Sequence, residues 1–179
     1  MKLFKKLAAA ALAAVLALSM VGCGNANSVN STKQFILNFL ADSTVMSTGE
    51  YHNTSEMDGI AQKLLTEANA AYQDETQTDK TVKALMRAVA EKEGILKEGT
   101  GYEISFVEDY QFKSSLIPEV QKQLMLMQMM DTIEVNGGIA LDATKLDVGV
   151  AVGKIGDKTY AVVVMTSAET AAPGTPDGD

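Results

Sequence analysis

The hydrophobic period of this chain changes near residue 100, from that of a helix to that of a strand. Before it, Met57, Ile60, Ala61, Leu64, Leu65, Ala68 and Tyr72 recur at spacings of three and four, which lines one face of an α-helix. Ser55 with Asp58 is the expected cap at its start. Val82, Leu85, Met86 and Val89 form the inner face of a second helix. Thr78 or Asp79 is its expected cap, Lys92 lies near its carbonyl end and Gly94 is its stop. After the change, Tyr102, Ile104 and Phe106 alternate with Glu103, Ser105 and Val107, the period of a half-buried strand. Pro118 suits the first turn of a further helix reaching about Met130. Ile133 to Val135 and Ile139 to Leu141 flank Asn136-Gly137-Gly138, a predicted hairpin turn. Val148, Val150 and Val152 then alternate with Gly149, Ala151 and Gly153, and a turn near Gly156-Asp157 leads into Thr159 to Met165, the strongest hairpin pattern in the chain.

Helices first and strands last predict an α+β fold, with N-terminal helices packed on a C-terminal antiparallel sheet and covering one of its faces. The unbroken apolar run Ala161 to Met165 predicts a central strand. Phe35, Ile36, Leu37, Phe39 and Leu40 form a shorter apolar run whose period fits a helix or a strand, and Ser43 to Ser55 reads as a polar loop.

The start of the chain belongs to another category. Lys2, Lys5 and Lys6 precede an uncharged stretch from Leu7 to Val21, too short for a bilayer crossing of about 20 apolar residues. Basic region, apolar region and small-residue site follow in the order of a secretory signal. The junction reads Met20-Val21-Gly22-Cys23, and Cys23 is the only cysteine of the chain. This resembles the lipobox of bacterial lipoproteins, with Met20 where leucine is commonest. The resemblance covers residues 1–23 and implies a diacylglyceryl thioether on the Cys23 sulfur, cleavage after Gly22, and often an acyl chain such as palmitate on the new amino terminus. Two chains anchor a protein where one is marginal, since each buried methylene contributes about 0.8 kcal/mol.

Removing residues 1–22 leaves 157 residues, the size of one domain and enough for a core without staples. They hold 12 basic against 23 acidic residues, a formal charge of −11. That sign disfavours nucleic acid and anionic headgroups as partners. With the single thiol used by the lipid, disulfides and thiol catalysis are excluded. Composition divides the chain into a signal peptide over 1–22, a small polar tether over 23–32, a domain over 33–167 and a tail over 168–179 with nothing large to bury.

Candidate chemistry is sparse. His52, the sole histidine, lies in Glu50-Tyr51-His52-Asn53 and could act as a general base with a carboxylate such as Glu50 or Asp58. No nucleophile motif accompanies it. The segment Leu124 to Met130 is rich in methionine, whose soft sulfurs bind copper(I) and whose flexible side chains form adaptable grooves. On a helix Met125 and Met129 share a face while Met127 and Met130 lie about a turn apart on another, so the four do not converge on one ion. Core packing or an apolar ligand groove is the reading they favour. The acidic groups around Asp74, Glu103 and Asp142 lack calcium-loop spacing, and no glycine loop for phosphate is present. Asn53-Thr54-Ser55 matches a glycosylation sequon, which has no role in a bacterial lipoprotein. The closing hairpin is similar to the end of CAP-type (cysteine-rich secretory protein-like) domains. Their cleft of histidines and glutamates cannot be carried over to a chain with one histidine. No catalytic constellation, metal site or cofactor is therefore expected. The expected protein is an extracytoplasmic, lipid-anchored binding module. It meets the membrane through Cys23 and takes another envelope protein or a small ligand, with a His52-based envelope hydrolase, or a binder of copper(I) or an apolar ligand through Met125, Met127, Met129 and Met130, as the alternatives.

Overall fold

A computed structural model of the chain describes residues 26–41, 50–108, 118, 120–121, 131–139, 143 and 145–167. The signal, Cys23, the methionine-rich segment and the tail lie outside them. Among the described residues the elements run in the order α1 (Ala26–Ala41), β1 (Glu50–Asn53), α2 (Ser55–Gln73), α3 (Val82–Ala90), β2 (Tyr102–Glu108), β3 (Asp131–Val135), β4 (Lys145–Ile155) and β5 (Lys158–Ser167). The fold is α+β, with helices packed on one five-stranded sheet of order β1-β4-β5-β2-β3.

The β4–β5 hairpin is its spine. Ile155 pairs with Lys158 across Gly156-Asp157, and the ladder runs without interruption to Leu146 and Ser167. Gly156 has a φ of 65°, at the first central position that a II′ turn reserves for glycine. β5 is the central strand, flanked by β4 and β2, and Val162, Val163 and Val164 are inaccessible to solvent. This is why Ala161 to Met165 reads as a run rather than an alternation: both faces of the strand are covered.

Two details depart from the sequence expectation. The sheet is mixed, because β1 joins it parallel to β4, with Glu50 opposite Lys145 and Asn53 opposite Val148. That segment had read as a loop, since a four-residue edge strand exposed at three positions has no apolar period to show. Helices also cover both faces. On one side Met57, Leu64, Leu65, Leu85, Met86 and Val89 of α2 and α3 pack on Ile104, Ile133, Ala151, Val162 and Val164. On the other, Ile36, Phe39 and Leu40 of α1 pack on Val148, Val150, Ala161, Val163 and Met165. The apolar run around Phe35 is thus helical, and the helix extends back through residues assigned to the tether. Ala26–Ala41 is one helix with Thr32 buried, so the polar segment 23–32 is not a free tether over 26–32.

Alternating glycines decide how close α2 comes. A Cβ on Gly149 would lie 2.0 Å from the carbonyl carbon and oxygen of Met57, and one on Gly153 would lie 2.7 Å from a Leu65 methyl. Four strand residues and eight helix residues cover similar lengths, at about 3.3 and 1.5 Å each, so α2 lies along β4 with its backbone against the glycine face.

The caps also shift. α2 is capped by Thr54, whose hydroxyl accepts from the Met57 N–H, and α3 by Thr81, accepting from the Ala84 N–H. Asp79 instead accepts from the Thr81 N–H, and α3 ends at Ala90, ahead of Gly94. β3 pairs antiparallel with β2, from Tyr102 opposite Val135 to Phe106 opposite Asp131. The Asn136-Gly137-Gly138 turn follows β3, and the Asn136 amide donates to the Thr100 carbonyl. The Gln121 N–H donates to the Pro118 carbonyl, and most of the helix expected from Pro118 to about Met130 lies outside the described residues.

Candidate functional site

The polar residues of β1 divide between two environments, because side chains of a strand alternate. Glu50 and His52 fall on one face, in register with Lys145 and Asp147 of β4. The His52 Nε2 lies 3.6 Å from a Glu50 carboxylate oxygen, and the Lys145 ammonium lies 3.8 Å from the same oxygen. The three side chains are 54%, 69% and 56% exposed. The sequence pairing of His52 with Glu50 is therefore realised, but in water. Among the described residues no hydrogen bond joins His52 to a hydroxyl, and no group of three metal-ligating side chains converges. Ion pairs this exposed contribute about 0–1 kcal/mol, so the Glu50–Lys145 pair holds this water-facing cluster together only weakly.

Asp58, the other carboxylate offered to His52, is engaged elsewhere. β1 pairs with β4 only as far as Val148, where the Thr54 N–H and the Asn53 side-chain amide both donate to the Val148 carbonyl. There the chain turns into α2, and the next outward N–H of β4, that of Val150, would lose its strand partner. The Asp58 carboxylate takes that place: one oxygen accepts from the Val150 N–H at 2.9 Å and from the Asn53 amide at 2.9 Å. Its other oxygen accepts from the Lys33 ammonium of α1 at 2.5 Å. Further up the same edge, the Asn69 side chain accepts from the Gly156 N–H at 3.0 Å. One carboxylate thus ties together α1, β1, α2 and β4. Burial opposes its charge, but the hydrogen bonds from Lys33, Val150 and Asn53 outweigh that and hold its pKa below the ordinary value of 3.8.

Sequence reasoning placed Asp58 at the cap of α2 and missed Lys33 and Asn53 as its partners. Of its partners, Lys33 and Val150 lie 25 and 92 residues away, where no local period encodes a contact, and only Asn53 is near in sequence. Met125, Met127, Met129 and Met130 lie outside the described residues, as do Gly22 and Cys23. Among the described residues no helix is long and apolar enough to cross a membrane. Compared with family models, with curated proteins and with solved structures, the chain matches none of them.

Proposed function

We propose that this protein is a lipid-anchored extracytoplasmic binding module, attached through Cys23 and acting by contact rather than by turnover. The observation that carries the reading is the junction Met20-Val21-Gly22-Cys23 behind a basic and then an apolar segment. The distribution of polar groups supports binding over catalysis. Asp58 is occupied as a structural tie, and the Glu50, His52 and Lys145 side chains face water, where an imidazole and a carboxylate lack the enclosed setting that general base catalysis exploits. Side chains of both signs along a sheet edge suit a complementary protein surface or a zwitterionic small ligand.

Metabolic labelling with a fatty acid tests the anchor. The wild-type chain is expected to incorporate label and to fractionate with membranes, and Cys23→Ala to do neither. Label retained by Cys23→Ala would overturn the reading. For the domain, a thermal shift series with cell-envelope fractions reads ligand binding directly, because a ligand of the folded state raises its stability. The shift is expected to fall in a Glu50→Gln, Lys145→Gln double variant. A measurable hydrolytic turnover abolished by His52→Ala would instead establish the enzyme reading.

A further inference from the structure

The lipid attachment and the fold together determine which side of the domain meets the bilayer. Cys23 precedes the first turn of α1 by three residues, and three extended residues reach no more than about 11 Å. The anchor therefore holds α1 itself close to the surface.

The direction of α1 follows from its contacts. Lys33 reaches Asp58, which holds the Val150 N–H, so the middle of α1 lies level with Val150. Its apolar half, Ile36, Phe39 and Leu40, shares one core with Val148 and Val150, and Ile36 and Val148 are inaccessible to solvent. Further along β4 from Val150, Val152 is half-buried and Lys154 is exposed. The outward stripe of α1 is Asn30, Gln34 and Asn38, all exposed, with the Gln34 amide donating to the Asn38 side chain at 2.8 Å.

Charge supports the same side. From Cys23 to Ala41 there is no acidic residue, and the lone charge, Lys33, turns onto Asp58. This is unusual in a domain of formal charge −11. The carboxylates Glu56, Glu67, Glu91 and Glu93 belong to α2, α3 and the turn after it, across the sheet from α1, while Glu103 and Glu134, paired across β2 and β3, lie on the α1 side of the sheet but at the edge away from β1. The thickness of one helix, about 10 Å, already exceeds the Debye length of about 8 Å at physiological ionic strength. Carboxylates beyond α1 and the sheet are thus screened from an anionic leaflet.

We propose that the outer face of α1, carrying Asn30, Gln34 and Asn38, lies against the headgroups of the membrane that holds the Cys23 lipid, with the α2–α3 layer pointing away. This rests on the lipid-anchor reading. Because the lipid occupies the only native thiol, a cysteine introduced at Gln34, Lys154 or Arg87 is the sole site for a thiol-reactive fluorophore. The test uses the full lipidated chain in vesicles containing anionic phospholipid, with and without headgroup nitroxide quenchers. Flotation with the vesicles is scored separately and reads the anchor. In the floating protein the label at Gln34→Cys is expected to lose intensity to the quencher, and the label at Arg87→Cys to keep it. Equal loss at the two positions, or loss greatest at Lys154→Cys, would overturn the α1-down orientation while leaving the anchor intact. Failure to float would overturn both.

Discussion

Asp58 shows how much one side chain can carry when the edge of a sheet is left short. Removing its carboxylate in Asp58→Ala leaves the Val150 N–H, the Asn53 amide and the Lys33 ammonium without their shared acceptor. An unsatisfied buried group costs about 1–3 kcal/mol, and because Asp58 keeps 27% side-chain exposure the expected loss is about 1–2 kcal/mol. Chemical denaturation would read it as a lower midpoint at unchanged slope. The sign with pH follows from the depressed pKa. The contribution of the charged form is complete above the ordinary value of 3.8 and is lost as pH falls through it towards the lower folded-state value. Asp58→Asn, which cannot titrate, is expected to lose less stability than the wild type as pH is lowered from 5 to 3, roughly the span around an ordinary aspartate pKa. A parallel fall in both proteins would contradict this. Gly149 makes the opposite kind of demand, for the absence of a side chain. Gly149→Ala sets a methyl 2.0 Å from the Met57 peptide, against backbone that cannot rotate away, and is expected to cost about 3 kcal/mol or more by the same denaturation assay. In the sequence Gly149 and Gly153 were visible only as interruptions of a valine strand. Their purpose depends on a helix that arrives from ninety residues earlier, which no window around them contains.

At the scale of elements, a segment was legible where its burial is one-sided or complete, and illegible where polar groups decide its structure. α2, α3, β2 and β4 were foreseen because their inward residues repeat at 3.6 or 2, and β5 because its apolar run is unbroken. α1 was half seen: its C-terminal half has Ile36, Phe39 and Leu40 to bury, while its N-terminal half, rich in asparagine and serine, has the composition of a linker. β1 escaped altogether, being short, polar and held by a parallel ladder to a strand far along the chain. Caps failed for a related reason. Thr54, Ser55 and Asp58 all have oxygens suited to a helix start, and the choice depends on where β1 ends. The structure gives the cap to Thr54, whose hydroxyl accepts from the Met57 N–H at 3.2 Å. Thr54→Ala is therefore expected to lower stability by about 1 kcal/mol, whereas exposed Ser55→Ala stays within about 0.5 kcal/mol of the wild type. Thermal unfolding of the two variants side by side checks the assignment, and the reverse order would return the cap to Ser55.

At the scale of the whole molecule, the sheet is a shared wall between two cores, and neither is large enough to hold it alone. The α2–α3 side has the greater apolar surface, yet the face beneath α1 presents Val148, Val150, Val163 and Met165, all buried. Without α1 these side chains meet water, and Ile36, Phe39 and Leu40 are lost with the helix. Each fully buried side chain of this size is worth about 1.5–3 kcal/mol, so the combined loss is comparable with the whole net stability of a domain, about 5–15 kcal/mol. The domain therefore begins at α1 and not at the strands. A chain starting at residue 42 is expected to lack a cooperative unfolding transition and to expose apolar surface that binds a hydrophobic dye, whereas one starting at Gly24 unfolds in a single step. A chain starting at Lys33 separates the tether reading from the helix reading. If 24–32 were only a linker, its midpoint would equal that of the longer chain. Because Thr32 is buried and a nine-residue helix is marginal by itself, its midpoint is expected to be lower. The same comparison bears on the proposed anchor, since a helix starting at Ala26 would leave only Cys23, Gly24 and Asn25 between a lipid on Cys23 and that helix. Inserting a flexible Gly-Ser segment after Asn25 is then expected to preserve the unfolding midpoint while releasing the label at Gln34→Cys from headgroup quenching.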